Sequence, residues 1–118
     1  SPGMMYRHYA PDRPVELVKG NRMKCVDSIN TRSRKEACAV ICYDEQAPLL
    51  KCKYVLTAGS EKDNQAYASK LFSMLRDTNS LDVSYIFAFL PVDTTGISLA
   101  IYNRLLRAAG FNVKTFDD

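Results

Sequence analysis

The sequence contains no tryptophan and only one histidine, His8. A lone histidine leaves no Ser-His-acid or Cys-His pair for nucleophilic catalysis. Four cysteines, at positions 25, 38, 42 and 52, form no Cys-x-x-Cys motif and lie far from His8 in the chain. The usual zinc spacings are therefore missing, and the cysteines are expected to be reduced thiols. We predict no metal site and no cofactor.

Long apolar runs are also missing, since no window approaches the roughly 18 consecutive apolar residues of a membrane-spanning helix. The N-terminal residues show no apolar run before a small-residue cleavage site, so no signal peptide is expected. The 118 residues, 47% apolar and 25% charged, have the size and composition of one soluble globular domain. No membrane partner is expected.

Charge is unevenly distributed along the chain. Residues 1–59 carry ten Lys and Arg against six Asp and Glu, whereas residues 60–118 carry six against seven. The segment 19–35 has six basic residues and one acid, Asp27. Such a block predicts a surface that faces anions, nucleic acid being the commonest. A merely solvated face is the alternative.

The order of apolar patterns predicts the secondary structure. Residues 1–20 hold three prolines and two glycines, which predicts an extended leader. Residues 23–29 are predicted to be a strand, and residues 37–43 and 49–57 a β-hairpin. Apolar residues spaced for a helix predict helices over 67–75 and 97–109. Residues 83–90 are predicted to be a central strand and residues 111–116 a last strand.

This order, β-β-β-α-β-α-β, predicts an α/β domain with a mixed sheet of the ribonuclease-H-like type. The predicted organisation is a leader over residues 1–20 and one RNA-binding domain over residues 21–118. A metal-dependent nuclease of that fold would need acids at strand ends to hold two metal ions about 4 Å apart. Asp27, Glu61 and Asp93 lie near such positions. The match is weak, because Glu61 begins a helix and Asp27 has no second acid beside it.

An acyltransferase interpretation would need a glycine-rich turn at a helix N-terminus to hold a pyrophosphate. Residues 60–64, which precede the first predicted helix, contain two acids and no glycine. Such a loop repels phosphate. The sequence therefore predicts a protein that is not an enzyme.

Several segments resemble the universal small-subunit ribosomal protein eleven family. They are residues 104–111, Arg-Leu-Leu-Arg-Ala-Ala-Gly-Phe, with the short segment to Asp118, the hairpin with its Thr57-Ala58-Gly59, and the helix start at residues 65–68. The basic, glycine-containing loop before that helix, the glycine-rich turn before the second helix and the basic C-terminal tail of the family are not matched. The resemblance covers residues 25–118 and implies a divergent, mitochondrial member, with a cytoplasmic location as the alternative.

Membership of this family implies a structural component of the small ribosomal subunit, with ribosomal RNA and neighbouring subunit proteins as partners and no small-molecule substrate. Contacts would be made to backbone phosphates rather than to bases. The predicted RNA-binding residues are Lys19, Arg22, Lys24, Arg32, Arg34, Lys35, Arg104 and Arg107. For Arg104 and Arg107, the alternative is a complement to the helix dipole. A protein-interaction domain that uses the segment 38–43 is the interpretation that remains if RNA does not bind.

Overall fold

The computed structural model describes residues 11–93 and 95–118, and in these residues strands and helices alternate along most of the chain. The elements are β1 (Val15–Gly20), α1 (Arg22–Ser33), β2 (Cys38–Cys42), β3 (Tyr54–Thr57), α2 (Asn64–Asp77), β4 (Tyr85–Phe89), α3 (Ile97–Ala108) and β5 (Val113–Phe116). Single 3-10 turns at Ala47–Leu49 and Thr78–Ser80 complete the path. None of the helices among these residues is long and apolar enough to cross a membrane.

The five strands form one sheet in the order β3-β2-β4-β1-β5, and every neighbouring pair is parallel. The predicted α/β class is confirmed. The mixed sheet and the order β-β-β-α-β-α-β are wrong, because a helix separates the first two strands and every strand pair among the described residues is parallel. Strands β2 and β4 are buried along their whole length, as expected for strands covered by helices on both faces.

Strand β1 lies inside the segment predicted to be a leader. It pairs with β4 on one side and β5 on the other, and Val15, Leu17 and Val18 are at most 4% exposed. The prolines at positions 11 and 14 precede this strand and do not interrupt it, so they gave no reason to exclude it. The domain therefore includes residues 15–20, before the predicted boundary at residue 21. Residues 1–10 of the predicted leader lie outside the described residues.

Helix α1 occupies the residues that were predicted to be the first strand. Its N-cap is Asn21, whose side-chain oxygen accepts a hydrogen bond of 3.0 Å from the Lys24 amide. Cys25, Val26 and Ile29 form its buried face. These residues are spaced as on one face of a helix, so the prediction of a strand over residues 23–29 is wrong.

The predicted hairpin is also wrong, because β3 runs parallel to β2, with Val40 opposite Val55. In a parallel pair, the connection must bring the chain back to the edge of the sheet where both strands begin. Residues 43–53 form this connection. Asn30 of α1 holds this connection: its side chain donates to the Leu49 carbonyl and accepts from the Lys51 amide.

Helices α2 and α3 are confirmed. Their apolar faces bury Tyr67, Leu71 and Leu75 on α2 and Ile101 and Leu105 on α3. The connection from β1 runs toward β2, whereas those from β3 and β4 run the opposite way across the sheet. Right-handed crossovers then place α1 on one face and α2 and α3 together on the other.

Candidate functional site: a crevice at the carboxyl edge of the sheet

The chain turns in opposite directions after β1 and after β4, and these two strands are neighbours. Their carboxyl ends therefore diverge and leave an opening, which is where open α/β sheets bind ligands. A crevice of about 280 Å³ lies at this point. Its lining residues are Val18, Lys19, Gly20, Arg22, Cys25, Gln46, Glu61, Phe89, Leu90, Pro91, Val92 and Tyr102.

An ion pair stands at the mouth of the crevice. Arg22, the first residue of α1, donates to the Glu61 carboxylate in the loop after β3, at 2.6 Å. The two side chains are 44% and 35% exposed, so the pair adds little to stability. A second opening of about 440 Å³ also borders Arg22 and Glu61, together with Val92 and Asp93. The pair thus stands where the two openings meet.

Glu45 fastens the loop after β2 to the loop after β3. Its carboxylate accepts hydrogen bonds from the Ser60 hydroxyl at 2.7 Å and from the Glu61 amide at 2.9 Å. These two hydrogen bonds lower the pKa of the Glu45 carboxyl, and the bond from Ser60 has the larger effect. The carboxylate is therefore ionised and already engaged, and it fixes the backbone from which Glu61 reaches Arg22.

A chain of hydrogen bonds joins the end of β2 to the starts of α2 and α3. The Tyr43 hydroxyl donates to Asn64 Oδ1 at 2.8 Å, and Asn64 Nδ2 donates to the Ser98 hydroxyl at 2.8 Å. Tyr43 is 2% exposed, and burial raises the pKa of its phenol well above the ordinary value. The phenol therefore remains a protonated donor, and these hydrogen bonds hold the part of the second opening that Tyr43 and Asn64 line.

Gln46 and Lys19 supply polar groups to the crevice itself. Gln46 is 7% exposed, and its Oε1 accepts from the Tyr43 amide at 2.9 Å. Lys19 Nζ donates to the Tyr102 hydroxyl at 3.2 Å. Cys25 lies beside them, and burial raises the pKa of its thiol, so it presents a neutral wall.

The structure divides the predicted RNA-binding residues between two ends of the molecule. Lys19 and Arg22 lie in the crevice at the carboxyl edge, and Lys24 nearby donates to the Asp117 carbonyl at 2.6 Å. The other five lie in the C-terminal halves of α1 and α3 or just beyond them, toward the opposite end: Arg32, Arg34, Lys35, Arg104 and Arg107. Arg32 is paired there with Glu36 at 2.6 Å. The eight residues do not form one surface, and contact of any of them with RNA stays a prediction.

The acids considered for a nuclease are only partly brought together. Glu61 and Asp93 border the same opening, but Asp27 is exposed on α1, away from the strand end where it was expected. Over residues 11–93 and 95–118, no three His, Cys, Asp or Glu side chains are grouped so that they could hold a metal ion. The groups that sequence reasoning missed are Gln46, Tyr43, Asn64, Ser98 and Tyr102. All but Tyr102 lie just after a strand or at a helix start on the carboxyl edge, a signal that a parallel sheet order would have revealed.

A parallel sheet with helices on both faces and an open crevice at its switch point defines the class of doubly wound α/β domains. Within that class, the chain belongs to the family described as "Threonylcarbamoyl-AMP synthase, C-terminal domain", which matches residues 1–110.

Two curated relatives carry the name of the whole enzyme. The chain is 33% identical over 114 residues to threonylcarbamoyl-AMP synthase of Bacillus subtilis and 31% identical over 122 residues to that of Pyrococcus abyssi. Each comparison covers 96% of this chain and 33% of the relative. The chain thus spans about a third of the length of these relatives.

Solved Sua5 structures have the same fold as this chain. Pyrococcus abyssi Sua5 in complex with L-threonine matches 91% of this chain with a TM-score of 0.76 and 26% identity, over 31% of its own length. The C-terminal Sua5 domain from Pyrococcus horikoshii matches 91% of the chain and is covered entirely, with a TM-score of 0.66. At 24% identity, this second likeness shows the fold.

These findings overturn the ribosomal interpretation. The chain does not belong to the small-subunit ribosomal protein eleven family, and neither a structural role in the ribosome nor a nuclease is supported. The prediction that the protein is not an enzyme is wrong, since its relatives are named synthases. The exclusion of a small-molecule substrate is wrong as well, because the archaeal Sua5 was crystallised with L-threonine. The misleading segments, a capped helix end and an apolar strand, are common to many α/β units.

Proposed function

We propose that this chain acts as the C-terminal domain of a threonylcarbamoyl-AMP synthase. The observation that carries the proposal is the family match over residues 1–110, with relatives of that name aligned to 96% of the chain. Because the chain corresponds to about a third of those relatives, the synthesis is a property proposed for the protein that contains the domain. The domain would supply the crevice as a place for a small molecule.

The composition of the product sets the reaction to be measured. Threonylcarbamoyl-AMP joins the amino nitrogen of threonine, through one carbonyl carbon, to the phosphate of AMP. The atoms balance if L-threonine, bicarbonate and ATP give this product together with pyrophosphate and water. The N–C bond forms as one C–O bond of bicarbonate breaks and that oxygen leaves as water. A remaining bicarbonate oxygen bonds to the α-phosphorus of ATP as the bond from that phosphorus to the oxygen bridging to the β-phosphate breaks, which releases pyrophosphate.

The test uses the natural protein that carries this sequence. An antibody raised against the 118-residue chain is used to precipitate that protein from its source, and the precipitate is supplied with L-threonine, bicarbonate and ATP. We expect threonylcarbamoyl-AMP, detected by mass spectrometry, and its loss when the antibody has been pre-absorbed with the chain. Recovery of the chain without product above the pre-absorbed control would contradict the proposal.

Localisation stays a prediction. The mitochondrial expectation depended on the ribosomal resemblance, and the cytoplasmic alternative is equally untested. Immunostaining with the same antibody would decide between them.

A further inference from the structure

Several side chains with hydrogen-bond donors line the crevice at the carboxyl edge. Lys19 Nζ and the Tyr102 hydroxyl lie 3.2 Å apart on its wall, and a hydroxyl that accepts from a lysine can still donate. Arg22 adds a guanidinium with further N–H groups. The carboxylate in the lining, Glu61, is already paired with Arg22.

Gln46 contributes a donor whose partner is not supplied by the described residues. The Tyr43 amide donates to its side chain, which identifies the accepting atom as Oε1 and leaves Nε2 as the donor. No acceptor among residues 11–93 and 95–118 bonds to Nε2, although the residue is only 7% exposed. The donor therefore has no acceptor in this part of the chain, and Gln46 lines the crevice.

The charges of the lining residues favour an anion. Glu61 balances Arg22 in their ion pair. Lys19 forms no ion pair with a carboxylate of the described residues, so its charge is left over. A buried or half-buried cation with donors around it is best satisfied by an oxyanion, which accepts several charge-assisted hydrogen bonds at once.

The rest of the lining fits an organic body attached to that oxyanion. Val18, Phe89, Leu90, Pro91 and Val92 form an apolar wall. The crevice, of about 280 Å³, meets the opening of about 440 Å³ where Arg22, Glu61 and Val92 border both. Together, they have room for a molecule larger than a bare ion.

We propose that this crevice is a binding site for the phosphate or carboxylate group of a small organic molecule, held by Lys19, Gln46 and Tyr102. The donor set does not depend on the proposed function, but the choice of probes rests on it: AMP carries the phosphate and L-threonine the carboxylate. A phosphate monoester carries about −1.5 to −2 charges at neutral pH, so AMP is expected to bind the more tightly.

The first experiment titrates the 118-residue chain with AMP and, separately, with L-threonine by calorimetry and by NMR. We expect saturable binding of AMP with a dissociation constant of about 1 mM or tighter, and weaker binding of L-threonine. Backbone amide shifts should change at residues 19–22, at Gln46 and around residues 90–92. Tighter binding of L-threonine would assign the site to a carboxylate. Absence of binding by both, or shifts confined to other surfaces, would overturn the proposal.

Two substitutions test the named donors. Gln46→Glu keeps the oxygen that accepts from Tyr43 but replaces the free donor with a negative charge, and Lys19→Met removes the charge while keeping an unbranched side chain. Each should weaken AMP binding about tenfold or more. The control is Lys70→Met, on the exposed surface of α2 and outside the crevice, which should bind like the original chain.

Equal affinity in the Lys19→Met chain and the original chain would contradict the assignment, even if Gln46→Glu proved unfolded. Because binding is measured without synthesis, a failure here leaves the proposed function standing. Conversely, a failure to form threonylcarbamoyl-AMP leaves the binding result standing.

Discussion

Gly20 ends β1 and opens the turn into α1, and it shows how one residue fixes the edge of the crevice. Its φ is +104°, a region that residues with a side chain rarely adopt. A Cβ at this position would lie 2.0 Å from the Phe116 carbonyl oxygen of the neighbouring strand. The Asn21 amide donates to that same oxygen at 2.7 Å, so β5 cannot move away without losing a bond.

We therefore expect Gly20→Ala to lower the free energy of unfolding by about 2–4 kcal/mol, from backbone strain together with the clash. Gly110→Ala is the matched control, because Gly110 also has a positive φ, +61°, but a Cβ there would meet no atom of residues 11–93 and 95–118 within 4 Å. It should cost only about 1–2 kcal/mol. Urea denaturation of the chain measures both, and equal losses would contradict the close approach to β5.

Asp82 gives a prediction about pH. Its carboxylate accepts hydrogen bonds from Lys53 and from the Tyr54 hydroxyl, and these lower its pKa to about 2. Because the folded-state pKa is below the unfolded value of about 3.9, the stabilisation is complete above the unfolded value and is lost as the pH falls toward 2. An NMR titration of the carboxyl carbon should show this low pKa, and Lys53→Met should raise it. Titration near pH 3.9 in the original chain, unchanged by the substitution, would contradict the pair.

Among the residues that line the candidate site, the charged ones could be predicted from the sequence and the neutral polar ones could not. Lys19 and Arg22 stood out in the sequence because basic residues crowd the segment 19–35. Gln46 has no such signal, since a glutamine in a turn is ordinarily a solvated side chain. Its role depends on burial and on the Tyr43 amide, both of which follow from the fold.

At the scale of elements, the two hydrogen bonds from Tyr43 to Asn64 and from Asn64 to Ser98 connect the end of β2 to the starts of α2 and α3. Replacing Tyr43 with Phe or Asn64 with Ala should each cost about 1–2 kcal/mol of stability, because each leaves a half-buried partner unsatisfied. Since both changes break the same bond, the double variant should cost less than the sum by about 0.5–1.5 kcal/mol. Urea denaturation of the original chain, the two single variants and the double variant gives this coupling energy. Additive losses would show that the hydrogen bond between Tyr43 and Asn64 contributes nothing.

The elements that sequence reasoning found are those with a clear helical period. In α2, Tyr67, Leu71 and Leu75 repeat at four-residue spacing over several turns, and this pattern is sufficient to identify a helix. Helix α1 has only three buried residues between many polar ones, and its N-cap at Asn21 was overlooked. Strand β1 is short and follows prolines, so only its pairing with β4 and β5 marks it as part of the sheet.

At the scale of the whole molecule, strand direction decided what could be inferred about function. A hairpin of β2 and β3 would have placed the residues after these strands at opposite edges of the sheet. In the parallel sheet, the loops after both strands meet, as the hydrogen bonds from Ser60 and from the Glu61 amide to Glu45 show. Missing that parallel pairing hid the crevice and left short local resemblances to suggest the wrong family.

The most direct test of the central claim replaces the C-terminal third of the Bacillus subtilis relative with this chain and measures threonylcarbamoyl-AMP formation. The relative without that third is the control, and a melting curve shows whether the graft is folded. We predict that the folded graft forms product at least about tenfold faster than the shortened relative, a gain of about 1.4 kcal/mol in barrier terms. A folded graft that is no faster than the shortened relative would contradict the assignment of this chain as a working C-terminal domain of the synthase.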